Sequence, residues 1–401
     1  MRLITKHIFS SIFSICILAM STLVVYDAFP ATVTHIKENY HPLTKPAEFD
    51  FLYNIVEDTA YQGSRFRYDV RGCYSGLQVL LQKLETRNFS YIKDEEGFLY
   101  RGSFYRSLNM DVMSYAKRIA RLKEAVSPSH TPVLFVAAPD RYDYRKAPIP
   151  SGYPVDVISP RNMDELLLDL RFLLVDTLDL RYSSLAAWPR EDLFYRTDSR
   201  WTTQAAFEAF RTIVTELEEK HNLSLDPRKF YRNPENYRVI TYPQHFLGNF
   251  GKSTGIPFSG GLEDFSFALP NFETSFQVRS GSWRAEGPFD ASVINMKHLA
   301  EPDPRKSSNL LNIYLDGERS AYDIRNLSLA DAPRILIIGD SFFIPVAAYL
   351  APACSQVTML SISADTPEDI EEHVLEHQYD CIIIAYNSAS IKDEAFPYFK
   401  S

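Results

Sequence analysis

Glycine is scarce in this chain, with 15 among 401 residues against 24 prolines, 24 tyrosines and 27 phenylalanines. No Walker-type loop and no Gly-x-Gly-x-x-Gly fingerprint occurs, so ATP and dinucleotides are not indicated. Positive charge is not in excess either. The formal charge of −9 at pH 7 argues against a nucleic-acid binder or a basic membrane-surface binder. Neutral substrates such as sugars or acyl esters stay open. Cysteine is sparse: Cys16, Cys73, Cys354 and Cys381 show no paired or zinc-like spacing. We expect free thiols, no metal site and no cofactor. Repeats and low-complexity tracts are absent as well.

What is present is a large apolar content, 45% hydrophobic and 13% aromatic residues. That is ample for a core and excludes a disordered chain. The length allows two or three domains. Arg2 and Lys6 precede an uncharged run from Ile8 to Tyr26, about the length that crosses a bilayer as a helix. Basic residues before such a run place the rest of the chain outside the cytoplasm. A cleaved signal peptide is the rival reading, but "LVVYDAFP" lacks a small-x-small cleavage site. We therefore expect residues 1–28 to form a single-pass membrane anchor and residues 29–90 a stalk with a helical region. An extracytoplasmic domain, periplasmic or at the cell surface, would follow over 91–401.

Apolar spacing predicts helices over Asp111–Val126, Asn162–Val175 and Thr202–Glu219, the last capped by Thr202 or Asp198. "TPVLFVAAP" and "PRILIIGD" read as buried strands and "VDTLDL", "QVTMLS" and "YDCIIIAYN" as further strands, with helices after Ile344 and around "TPEDIEEHVLEHQ". Alternation of this kind implies an α/β fold, a parallel sheet flanked by helices. Residues 223–330, rich in Pro, Gly, Ser, Asn and aromatics, read as an irregular β-rich insertion.

Two stretches carry candidate chemistry. In "ILIIGDSFF" a strand ends at Gly339, and Asp340 and Ser341 lie where the chain turns toward a helix. Ligands of open parallel sheets bind at such strand ends. The serine can face substrate beside helix amides that bind an oxyanion, or Asp340 and Ser341 can simply cap the helix. In "FYRTDSRWTTQAAFEAF", Asp198, Arg200, Trp201 and Thr202 precede a helix.

Taken in order, "GFLYRGSF", "FYRTDSRWTTQAA", "FLGNFGKSTG", "ILIIGDSFF" and "CIIIAYN" resemble the SGNH-hydrolase-like families of polysaccharide O-acetylation. These are the DHHW-motif proteins and the alginate O-acetyltransferase-like group. The resemblance covers roughly residues 90 to 401. It implies Ser341 as the acyl-accepting nucleophile, Asp198 as the acid that orients a base, and Asn387 with Gly248 or Gly251 as oxyanion donors. Trp201 and Asp340 would line the substrate site. The implied partners are a polysaccharide or oligosaccharide and a multi-pass membrane acyltransferase as acyl donor.

One position departs from the pattern. The base should be a histidine two residues after Asp198, and Arg200 stands there. A serine hydroxyl needs a base that takes its proton. A guanidinium stays protonated and offers no acceptor. Three readings remain open: another base such as His245 serves Ser341; catalysis is lost and the cleft binds glycan; or only the fold is shared. His298, and the pair His373 and His377 one helical turn apart, are weaker candidates. "DRYDYRK" after a strand reads as a solvated loop.

Overall fold

The computed structural model describes residues 64, 66–103, 111–141, 152–156, 158–362 and 370–399, with scattered positions between 14 and 34. The expected anchor and stalk lie almost wholly outside the described residues. Among the described residues, no helix is long and apolar enough to cross a membrane. The chain divides into two units. One comprises residues 1–83 with 254–258, and the other residues 84–253 with 259–401. In the first, helix α1 (Arg67–Leu80) is the main described element.

The second unit is built on an eight-stranded sheet. Strands β1 (Tyr91–Lys93) and β2 (Leu99–Arg101) form a hairpin around Gly97, whose φ of 88° suits a residue without Cβ. Helix α2 (Val112–Val126), β3 (Val133–Ala137), α3 (Ile158–Phe172), β4 (Asp176–Asp179) and α4 (Thr203–His221) follow. Strands β5 (Tyr237–Phe246) and β6 (Glu263–Pro270) pair with each other. Strands β7 (Phe276–Ser280), β8 (Trp283–Gly287), β9 (Ala321–Asn326) and β10 (Arg334–Gly339) lead to α5 (Ile344–Leu350), β11 (Gln356–Ser361), α6 (Ile370–Glu376) and β12 (Cys381–Tyr386).

The sheet order is β4-β3-β12-β10-β11-β9-β7-β8. The first five strands are parallel, and β9, β7 and β8 continue the sheet antiparallel. This corrects the expectation of a wholly parallel sheet. The segment read as an insertion supplies β7, β8 and β9: β9 pairs with β11, and the β7–β8 hairpin adds to it through β7.

The sequence of β10 shows why the middle is buried. Ile335 and Ile337 join one core with Ala209, Phe210 and Ala347, while Leu336 and Ile338 join the other with Ile119, Leu166 and Ile382. Successive side chains leave a strand on opposite faces, so a continuous apolar run requires helices on both. Helices α4 and α5 cover one face, and α2, α3 and α6 the other. Each fully buried Leu or Ile contributes about 1.5–3 kcal/mol before entropy is counted.

Candidate functional site

The 196–202 segment is fixed from both sides. Glu263 accepts hydrogen bonds from the Arg196 and Thr197 amides at 2.7 and 2.9 Å. The hydroxyl of Thr197 accepts from the Gly248 amide at 2.9 Å, and its carbonyl from the Gly251 amide at 3.0 Å. A Cβ on Gly248 would sit 2.4 Å from the Thr197 carbonyl oxygen and 2.5 Å from Asp198 Cβ, so only glycine allows this approach. Thr202 caps α4 by accepting from the Ala205 amide at 3.1 Å.

These contacts bury Asp198 completely. Its Oδ1 accepts from the Arg200 amide at 3.2 Å and Arg200 Nε at 3.1 Å. Its Oδ2 accepts from the Asn249 amide at 2.9 Å and Asn309 Nδ2 at 2.6 Å. Burial pushes the carboxyl up, but the Arg200 charge and these hydrogen bonds outweigh it and hold it below the usual range. Arg200 thus occupies the place where a histidine would meet Asp198. Its side chain is 12% exposed. Among the described residues its terminal Nη groups have no protein partner.

Lys252 adds a second cation. Its ammonium donates to the Ser307 and Ser308 carbonyls at 2.7 and 3.0 Å. Burial lowers its pKa to about 8, the Asp198 charge works against that, and the Arg200 charge adds to it. Asn249, Lys252 and Asn309 did not emerge from the sequence as individual site residues. The first two lie inside a stretch already singled out, "FLGNFGKSTG". Asn309 sits in "KSSNL", which carries no local signal.

Asp340 and Ser341 lie at the end of β10, as expected. Asp340 is buried and accepts from the Phe342 amide at 3.1 Å, the Asn387 amide and Nδ2 at 2.7 and 2.6 Å, and Ser390 Oγ at 2.8 Å. Burial raises its carboxyl to about 6 against the pull of those bonds. Ser341 is half-buried. Among the described residues, no side chain hydrogen-bonds its hydroxyl.

The 198–202 and 339–343 segments do come together. The Trp201 indole donates to the Phe342 carbonyl at 2.9 Å, and its ring lies 5.4 Å from that of Phe343. The packing places the other expected site residues as follows. Trp201, expected to line the substrate site, is 1% exposed and packs in the core between the two segments. The Gly248 and Gly251 amides bind Thr197 and are not free for an oxyanion. Asp340 is a buried scaffold, and the Asn387 amide group is directed to Asp340. His245, on β5, has a buried Nε2 without a partner, and its ring lies 5.9 Å from that of Tyr242. Among the described residues, no hydrogen bond joins it to Ser341.

The other sequence candidates have local explanations. His373 bonds the Tyr379 hydroxyl at 2.7 Å and stacks on His377 at 4.3 Å. Among the described residues, no group of His, Cys, Asp and Glu could hold a metal. Cys73, Cys354 and Cys381 are free, and Cys73 is exposed. A cleft of about 1120 Å³ is lined by Trp188, Tyr195, Thr202, Gln204 and Glu263. Asp198, Arg200 and Ser341 are not among its walls.

Residues 95–239 match the SGNH hydrolase-like domain, acetyltransferase AlgX. The matched stretch contains Asp198, Arg200 and Trp201 and ends before Ser341. The chain is similar to the structure of Bacillus cereus PatB1 with a sulfonyl adduct, at 14% identity and a TM-score of 0.62. That likeness covers 79% of this chain and all of the other. It is also similar to a DHHW family protein from Eubacterium siraeum, at 14% identity and a TM-score of 0.56, covering 77% of this chain and 94% of the other. No curated protein matches the chain. The likeness expected from five short motifs is therefore present, and at this identity the solved structures show the fold alone.

Proposed function

We propose that this chain serves polysaccharide O-acetylation outside the cytoplasm, tethered by its N-terminal apolar run. In this reading the Asp198–Arg200 pocket holds an acylated or acidic sugar and does not turn it over through Ser341. Arg200 carries the proposal. Its Nε is locked on Asp198 while its Nη groups remain available for a carbonyl or carboxylate oxygen, the geometry in which a guanidinium binds well. Lys252 reinforces the positive potential. The match to an acetyltransferase domain supports the substrate class. A multi-pass membrane acyltransferase as donor is the corresponding partner.

Calorimetric titration of the full chain in detergent with O-acetylated and uronate oligosaccharides tests the proposal. We expect binding that Arg200→Gln weakens by tenfold or more, about 1.4 kcal/mol. Equal affinity in the variant, or no binding by the native protein, rejects it.

A further inference from the structure

A second serine lies in a different electrostatic setting. The Ser308 hydroxyl is 2.8 Å from His298 Nδ1, and His298 Nε2 is 3.0 Å from Asp316 Oδ1. A carboxylate can only accept, so the proton of the neutral ring sits on Nε2, which leaves the Nδ1 lone pair facing the Ser308 hydroxyl. The ring is turned the other way round from the usual relay, where Nε2 faces the serine, but either nitrogen can take a proton. Ser308 is exposed. The His298 and Asp316 side chains are 20% and 18% exposed, reachable yet largely dry.

These contacts are held by backbone and not by chance proximity of surface groups. Residues 293–295 and 313–315 are bridged: the Asn295 amide donates to the Ile313 carbonyl at 2.7 Å, and the Leu315 amide to the Val293 carbonyl at 2.8 Å. Asn295 caps the helical turn that carries His298 and donates through Nδ2 to Asp316 at 2.6 Å. Arg319 binds the other carboxylate oxygen. Burial raises the Asp316 carboxyl, and the His298, Arg319 and Asn295 hydrogen bonds more than reverse this, keeping it ionised. Leu315, Asp316 and Gly317 have φ of 54°, 61° and 86°, a left-handed run that L residues enter only when tertiary contacts require it. Ser308 is fixed by Lys252 on its carbonyl and, next to it, by Asn309 on Asp198. Among the described residues, the Ser308 amide has no protein partner.

We propose that Ser308, His298 and Asp316 form a nucleophilic relay that cleaves or transfers an acyl ester, at a centre distinct from Ser341. This goes beyond glycan binding at Arg200 and does not depend on it. Ser308 Oγ attacks the acyl carbonyl carbon while its proton moves to His298 Nδ1. Asp316 stabilises the imidazolium that forms. The Ser308 amide, without a protein partner among the described residues, is available to the oxyanion, and the Lys252 ammonium held on the Ser308 carbonyl adds positive potential nearby. The ester C–O bond breaks, the leaving oxygen takes the proton from His298, and the acyl group stays on Ser308. Water, or a sugar hydroxyl, then attacks the acyl carbon as its proton passes to Nδ1. That proton returns to Oγ as the acyl–serine bond breaks, which regenerates the free serine and releases acid or a new ester.

The test is hydrolysis of 4-nitrophenyl acetate by the full chain in detergent, read beside a thermal melt. Ser308→Ala and His298→Gln are each expected to lower turnover by at least 100-fold with an unchanged melt. Asp316→Asn should lower it by about 100-fold. Ser308 is exposed, so its variant keeps the test valid even if changes at Asp316 unfold the loop. No turnover in the native protein, or turnover within twofold of native in Ser308→Ala, overturns the proposal. Loss of oligosaccharide binding in Arg200→Gln is a separate readout, so the two ideas can fail independently.

Discussion

Asp198 and Asp316 are two carboxylates in one unit with opposite circumstances. Asp198 is sealed, and its partners are a guanidinium, two backbone amides and a side-chain amide. None of these can accept a proton from a hydroxyl. Asp316 is partly exposed and faces an imidazole that can. The lesson is that an acid retained from a motif can meet a guanidinium where a base is expected. What decides is whether a group with a titratable lone pair stands between acid and nucleophile. The two sites are linked, because Asn309 on Asp198 anchors the loop that presents Ser308. Asp198, which the resemblance sets to orient a base, here accepts from Arg200, Asn249 and Asn309.

The largest effect should come from undoing the difference. Arg200→His puts an imidazole beside Asp198 and is expected to raise Ser341-dependent ester hydrolysis by about 100-fold or more. A variant whose rate does not respond to a further Ser341→Ala change would show that more than the base is missing. Next is stability. Asp198→Ala strands the Arg200 charge and three donors in a dry pocket, and should destabilise by about 3–5 kcal/mol in urea unfolding. Asp316→Ala, nearer solvent, should lose less than about 2 kcal/mol. Equal losses would break the comparison.

Gly248→Ala should follow at about 1–3 kcal/mol, because the added methyl must push back the Thr197 carbonyl and Asp198. Asn295→Ala removes a cap and should cost about 1 kcal/mol, with a larger drop in ester turnover than in melting temperature. The smallest effect is a pH profile. Lys252 loses its charge as pH rises through about 8, whereas an ordinary lysine keeps it to about 10. Uronate affinity should therefore fall a few-fold around pH 8, and Lys252→Gln should abolish that step while Arg200 still binds.

Much of the sheet is legible in the sequence because strands such as Ile335–Ile338 are uninterrupted β-branched and apolar runs, and α4 begins at a threonine cap. The antiparallel extension is not. Segments such as "FSFAL" and "SFQVRS" show local alternation but nothing that tells a strand which edge it will join. The pairing of the Asp198 and Ser341 segments follows from motif order. The occupant of each hydrogen bond does not, so Trp201, set in the substrate site by resemblance, turns out to be buried in the core. The relay at Ser308 is invisible for a simple reason. His298, Ser308 and Asp316 lie in loops without periodicity, and only the 293–295 and 313–315 bridge brings them together. A lone histidine in such a loop carries no sequence signal.

The most direct measurement is the position of a covalent adduct. The full chain, treated with an arylsulfonyl fluoride, digested and mapped by mass spectrometry, should carry the label on Ser308 and none on Ser341, and His298→Gln should abolish it. A label on Ser341 in the native protein would mean that a base reaches it despite Arg200, contradicting both the silent Asp198–Arg200 pocket and the placement of the chemistry at Ser308.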